Sequence, residues 1–469
     1  MTFRFDDELF VIPSSDQYLV FAPRRGCLLL TGASGVDLLA KVRDSGWKGG
    51  EPPHGIFRAL EESGVINGSP LPPVPTAENT PYAPTSVTLF LSNRCNLGCV
   101  YCYADQGCQR DMAMDPVIAH AAIEKALKHA KEGGKACSVN FHGGGEPTMA
   151  WSLLQDAVTY AQDRSRALEV KCTFGLTTNG CVEPDQAEWL AARFGNISIS
   201  CDGPPEIQDR NRPLRNGSPS SPIVARTVSI LQAAGAPYAF QSTVTRGMVD
   251  RIPDIVEYLC HLGKPRSVKL EPVSKVGRFS EHAQDIPVYD CFAKKLGEAF
   301  DVALRNGVGV DFPAFRLTGM PQSTFCGTCQ TPFSVTPDGF ISACYEACWE
   351  GADHGDRLII GQYDRDRQEF IINEQRLAEL RSRHIHNMPG CKNCFCKYAC
   401  AGDCPVRNWR AADRKDDSLL ATGVRCDLIR SVGAMYLRRL ADGNILFDSA
   451  AQSLSDGKGN RLAKEEEHV

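Results

Sequence analysis

The sequence predicts an α/β protein: a partial (β/α)6 barrel, preceded by a small α+β module and followed by a loop-rich, cysteine-dense region. Three observations carry this expectation. Six short apolar runs alternate with amphipathic helical patterns between residues 86 and 310. A proline-rich stretch sets off the residues before them. After residue 311 the alternation stops and cysteines recur at short spacing up to Cys426.

Residues 1–69 form the first module. Leu9–Ile12 and Tyr18–Phe21 flank a Ser-Ser-Asp turn and read as paired strands, with helical patterns at Gly35–Arg43 and Ile56–Ser63. Residues 70–85 hold prolines at 70, 72, 73, 75, 81 and 84, which makes them an extended linker. The barrel strands are expected at Val87–Leu91, Ser138–Phe141, Thr173–Thr177, Ile197–Ser200, Ala239–Val244 and Val268–Glu271. Helices are expected at Val117–Glu132, Leu153–Arg166, Asp185–Arg193, Val224–Ala234 and Ile252–Leu262. Six such units in series give a parallel sheet, closed or partly closed, with its chemistry at the strands' C-terminal ends. Residues 311–440 are the cysteine-rich domain, ending in a helix at Asp427–Leu440, and 441–469 are a polar tail expected to be disordered.

At 469 residues the chain is long enough for large cores without disulfide staples. It is 43% hydrophobic and 23% charged, as soluble proteins are, and its net charge of −5 argues against a nucleic-acid partner. No apolar run is long enough to span a membrane, and the N-terminus does not read as a secretory signal. Twenty-one cysteines then fit metal-bound thiolates in a reducing cytoplasm better than disulfides.

Cys95, Cys99 and Cys102 follow the first barrel strand directly, where a barrel places its chemistry. Three local thiolates would hold three irons of a [4Fe–4S] cluster and leave the fourth open. A structural zinc loop is the alternative, with Cys108 as a possible fourth ligand. The segment, with aromatic Tyr101 before the last cysteine, resembles the CxxxCxxC signature of the radical S-adenosylmethionine (SAM) superfamily. The resemblance implies that the methionine group of S-adenosylmethionine chelates the open iron. Reductive S–C cleavage would then give a 5′-deoxyadenosyl radical that abstracts a substrate hydrogen. It also implies cofactor contacts from Tyr101, Gly144, Gly145, Glu146, Asn179, Ser200, Asp202, Arg226 and Ser242. Glu146 would take the methionine ammonium, and Ser200 and Arg226 its carboxylate. Turn and cap chemistry is the alternative for Ser200, Asp202 and Ser242.

Downstream come Cys326-x2-Cys329, then Gly339-x4-Cys344, then Cys391-x2-Cys394-x5-Cys400-x3-Cys404, and finally Cys426. Zinc suits such pairs, but order and gaps resemble the SPASM extension of radical SAM enzymes. That resemblance implies two auxiliary [4Fe–4S] clusters, so three in all. Cys326, Cys329, Cys344 and Cys404 would hold one; Cys391, Cys394, Cys400 and Cys426 would hold the other. Cys348 and Cys396 lie inside the array but outside the pattern. The barrel is then TIM-like, and the C-terminal region is a loop-rich iron–sulfur domain.

Enzymes of this class mostly modify peptides or proteins. Sulfatase-maturing members carry an acidic base after the cysteine equivalent to Cys344, where this chain has Tyr345 and then Glu346. Those two are the candidate catalytic residues. The N-terminal module resembles the winged-helix-like leader-recognition domain of peptide maturases, which implies β-augmentation by a precursor peptide. The expected function is hydrogen abstraction from a ribosomally made precursor, leading to an intramolecular thioether or carbon–carbon crosslink. An external reductant such as flavodoxin or ferredoxin would supply electrons. The alternatives are maturation of a folded protein, such as a sulfatase or dehydrogenase subunit, and a non-catalytic leader-binding partner.

Overall fold

A computed structural model describes residues 4–45, 55–104, 111–280, 283–317, 320–411, 423 and 425–443. Cys108 and nearly all of the C-terminal tail lie outside these residues.

The chain opens on an antiparallel sheet of β1 (Phe10–Ser14), β2 (Gln17–Ala22) and β3 (Cys27–Thr31), in that spatial order. The third strand adds to the expected pair. One face packs under α1 (Ala33–Ser45) and α2 (Ile56–Glu62) through Val20, Leu29, Leu39, Phe57 and Leu60. The other face, with Ile12, Leu19, Phe21 and Leu28, joins the main core. Among the described residues β3 has a ladder partner on one edge only.

The proline-rich segment is extended, as expected, and it is also pinned. Val74 and Pro75 offer carbonyls to His386 (3.2 Å) and Ser323 (2.6 Å), Thr80 accepts from Arg381 (2.7 Å), and Tyr82 donates to the Pro332 carbonyl (2.7 Å). Outside any strand ladder, the segment's carbonyls are satisfied by neighbouring side chains.

The alternation follows as β4 (Ser86–Leu89), α3 (Pro116–Glu132), β5 (Cys137–Phe141), α4 (Trp151–Leu168), β6 (Cys172–Thr178), α5 (Pro184–Ala191), β7 (Asn196–Ser200), α6 (Pro205–Asn211), α7 (Ser221–Ala233), β8 (Tyr238–Val244), α8 (Ile252–Leu262) and β9 (Ser267–Pro272). Neighbouring strands from β4 to β9 pair in parallel, in sequence order. After α9 (Tyr289–Arg305), β10 (Gly309–Asp311) adds in parallel to β9. At the other edge β11 (Ser334–Val335) pairs in parallel with β4. It leads into an antiparallel run of β12 (Phe340–Ser342), β13 (Ile359–Asp364) and β14 (Glu369–Ile372), with α10 (Gly355–Leu358) before β13. The eleven-stranded sheet ends at β10 and β14 and does not close. This is the mixed α/β, partial-barrel architecture that the sequence predicts. Helices α11 (Glu374–Arg381), α12 (Lys397–Cys400), α13 (Pro405–Ala411) and α14 (Cys426–Ala441) complete the chain.

Strands buried on both faces read as continuous apolar runs. Here burial alternates: Cys137, Val139 and Phe141 are buried under helices, whereas Ser138 and Asn140 are half-buried on the other face. In β9, Val268 and Leu270 are buried, and Lys269 and Glu271 line the opposite face. In these two strands the face opposite the helices therefore carries polar side chains.

Candidate active site

The segment carrying Cys95, Cys99 and Cys102 has little regular structure of its own and is fixed by its neighbours. Gly98 and Val100 donate to the Pro213 and Asn211 carbonyls (2.8 and 3.0 Å). Arg215 and Arg278 donate to the carbonyls of Cys95 and Cys99 (2.7 and 3.0 Å). Gly145 and Glu146 donate to Ser92 and Arg94 (2.8 Å each). Two glycines make this approach possible. A Cβ on Gly145 would stand 2.0 Å from the Arg94 oxygen, and one on Gly277 would stand 2.1 Å from the Cys102 oxygen.

Burial, Glu146 and the neighbouring Cys99 and Cys102 push the Cys95 thiol up to about 12. Cys99 is raised by burial and by Cys102, although Arg212 and Arg278 pull against them. Crowded thiols that raise one another fit a cationic metal group that takes them as thiolates. Among the described residues, no three His, Cys, Asp or Glu side chains converge as a single metal ion requires. Cys181 and Cys201 are buried close by, but their sulfurs point to the Ser220 and Gly203 carbonyls (3.9 Å each).

Glu146 is buried and takes four hydrogen bonds: from Thr148 N–H (3.2 Å), the Thr148 and Thr178 hydroxyls (2.9 and 2.8 Å) and Asn179 N–H (2.7 Å). Burial still raises its carboxyl. Its capacity is largely used within the protein, where it ties the end of β6 to the glycine turn. Asn179 continues the chain, donating to Asn96 (2.7 Å) beside Cys95 (3.7 Å). Gly144 packs on the Ser92 carbonyl.

Asp202 is fully buried after β7 and gathers Arg212 Nε (3.1 Å), Asn211 (3.2 Å), Thr243 N–H (3.1 Å) and the Tyr101 hydroxyl. The Arg212 guanidinium lies 5.1 Å over the Tyr101 ring. Sequence reasoning missed Arg212 and Asn211, because an Asn-Arg-Pro turn gives no local signal. Arg226, expected at the cofactor carboxylate, instead donates to the Val182 carbonyl (3.0 Å), with 45% of its side chain exposed and Glu183 4.0 Å away. Ser200 is half-buried at the end of β7, and the buried Ser242 hydroxyl faces the Asp202 carbonyl at 3.5 Å.

By the electrostatic influence of one thiol on another, the downstream cysteines divide into two groups. Cys344 is pushed well up by burial, Glu346, Cys404 and Cys326, and Cys329 rises to about 12 through burial, Cys326 and Cys404. Cys400 is raised by burial and by Asp403, Cys391, Cys394 and Cys426, and Cys391 rises to about 11 through burial, Cys394 and Cys426. Cys394 alone moves down, to about 6, where Cys396 and Arg430 donate to it. Cys348 is buried with its sulfur 3.8 Å from the Ala104 carbonyl, and Cys396 faces the Ile429 carbonyl at 3.6 Å.

The turn after Cys344 lies over the barrel. The Tyr345 ring is 4.3 Å from His142 and 5.9 Å from Phe90, and its hydroxyl reaches Thr88 at 3.4 Å. Burial and the Lys269 ammonium push His142 down to about 4, so its imidazole is neutral at neutral pH. Tyr103 is half-buried near Cys348, Cys102, Glu346 and Cys344, between the first cysteine loop and the first downstream group. Glu271, at the end of β9, binds Arg425 (2.7 Å) and Arg407, and Arg425 also holds Asp403 (3.1 Å). Polar residues at alternate positions of β9 were the signal that could have singled out Glu271.

Residues 89–259 match the model of the Radical SAM superfamily. The chain is similar to the cysteine-type anaerobic sulfatase-maturating enzyme of Clostridium perfringens, with 23% identity over 352 residues, 71% of this chain and 91% of that protein. It shares 24% identity over 345 residues with the radical SAM cyclopropyl synthase TigE of Paramaledivibacter caminithermalis, 68% of this chain and 67% of that one. Its fold is similar to that of native anSMEcpe with bound AdoMet and Cp18Cys peptide, with TM-score 0.61, 22% identity, and coverage of 77% and 99%.

Proposed function

We propose, from the premise that this chain is an enzyme built on a radical SAM domain, that it matures a ribosomally made precursor peptide by installing an intramolecular crosslink, a thioether or a carbon–carbon bond. Its relatives include a sulfatase-maturating enzyme and a radical SAM cyclopropyl synthase. The observation that carries the reading is the turn Cys344-Tyr345-Glu346, laid over β4 and β5 beside Tyr103 and Cys102. A substrate held between that turn and the barrel would face both the first cysteine loop and the first downstream thiol group.

When bound at Cys95, Cys99 and Cys102, the iron–sulfur cluster with S-adenosylmethionine supplies hydrogen-atom abstraction. The protein's task is to hold and orient. Tyr101, Asp202 and Arg212 fix the loop from below, and Glu146 with Asn179 fixes it from the side. The two downstream groups would hold two auxiliary clusters, giving three in all. Glu346, beside Cys344 and Cys404, would take the substrate proton. The edge of β3 that pairs with no strand among the described residues is where a leader peptide would add as a strand. Flavodoxin or ferredoxin would deliver electrons.

The test is anaerobic turnover with short peptides encoded beside the gene. A modified peptide loses two hydrogens per crosslink, read by mass, with one 5′-deoxyadenosine formed per event. Modification of a co-encoded folded protein, with every peptide unchanged, would instead establish the sulfatase-type alternative.

A further inference from the structure

Only three residues, Ala401, Gly402 and Asp403, separate Cys400 from Cys404, yet the two thiols face different groups. All three have left-handed backbones, with φ of +51°, +85° and +59°. Glycine adopts this region freely, whereas alanine and aspartate are strained in it. Such strain persists only where the surroundings over-determine it. The left-handed run ends α12, turns the chain, and starts α13 directly after Cys404.

The side chain gripping this spacer is Arg383. It is 1% exposed and ranks first in size among the fully buried side chains. Its Nη2 donates to the Gly402 carbonyl (3.0 Å) and its Nη1 to the Asp403 carbonyl (3.2 Å), so one planar fork clamps two successive peptide units. Asn408 adds a second bond to Gly402 (3.2 Å), and Arg425 anchors the Asp403 carboxylate.

We propose that Arg383 is a positioning residue for both auxiliary clusters: it holds the left-handed 401–403 spacer so that Cys400 and Cys404 serve different sites. The inference rests on the two-auxiliary-cluster reading above. It makes a distinction that charge alone does not. Lysine keeps the charge but donates from a single nitrogen, without the planar fork that spans two successive carbonyls.

The test is iron content and the EPR spectrum of the reduced protein, measured on the full chain reconstituted anaerobically. Wild type should hold about twelve irons, four per cubane. Arg383→Met and Arg383→Lys should both lose about four to eight irons while keeping the signal of the cluster at Cys95, Cys99 and Cys102. Ala401→Gly accepts φ +51° without strain. Added to Arg383→Met, it should restore most of the lost iron, which a mere packing role would not allow. Full iron in both Arg383 variants would overturn the proposal, as would a loss that Ala401→Gly leaves unrepaired. Wild type holding only four irons would instead overturn the two-cluster reading beneath it.

Discussion

Replacing Asp202 by Asn probes how the first cysteine loop is held. The carboxylate is fully buried and accepts from Arg212, Asn211, the Thr243 amide and the Tyr101 hydroxyl. Asparagine keeps the shape but removes the charge, and it turns an NH2 toward groups that are themselves donors. Arg212 then loses the carboxylate that balances its buried charge, and the Thr243 hydroxyl, 3.5 Å away, is neutral. Removing one partner of a buried ion pair costs about 3–5 kcal/mol. In a barrel of this size each kcal/mol lowers the melting temperature by about 2–4 °C, which gives a drop of roughly 6–20 °C. The assay is anaerobic thermal unfolding followed by circular dichroism, paired with calorimetric titration of S-adenosylmethionine. The double variant Asp202→Asn/Arg212→Met should recover part of the lost stability, because the stranded charge is gone. A single variant that melts within 1 °C of wild type would refute the view that this pair braces the loop.

Two further predictions concern other parts of the site. Gly145→Ala drives a methyl group into the Arg94 carbonyl, so it should displace the loop and lower cluster occupancy; wild-type iron content in that variant would show that the contact yields. Burial raises the Glu271 carboxyl, but Arg407 and Arg425 outweigh it and the net direction is down. A depressed carboxyl stabilises the fold above the unfolded value of about 4.3, and that stability is lost as pH falls through the folded pKa. Glu271→Gln should therefore cost about 1.5–3 kcal/mol at pH 7, with the two stability curves converging as pH falls through the folded pKa of Glu271.

The barrel was legible because each strand is a short apolar run and each following helix has an apolar stripe. The strands at the sheet's far end were not. β11 and β12 are two and three residues long, and β11 finds its place by pairing with β4, some 245 residues earlier. β3 escaped notice because Cys27-Leu28-Leu29-Leu30 shows no alternation; both of its faces are covered, one by α1 and α2 and the other by the main core. The cysteines announce themselves by spacing, which is local. Arg212, Glu271 and Arg383 do not, since each acquires its role only when the fold brings a distant carboxylate or carbonyl to it. The glycine turn was expected to contact the cofactor through Gly144 and Gly145. In the structure the absence of side chains at Gly143, Gly144 and Gly145 lets Phe90 and the backbone of the cysteine loop approach closely.

The central claim is that Cys95, Cys99 and Cys102 hold the reactive cluster of a three-cluster enzyme. Its most direct test compares wild type with Cys99→Ala, both reconstituted anaerobically, reduced with dithionite and given S-adenosylmethionine. Wild type should carry about twelve irons and release 5′-deoxyadenosine. The variant should keep about eight irons and release none. Undiminished 5′-deoxyadenosine from the variant, or only four irons in wild type, would contradict the account.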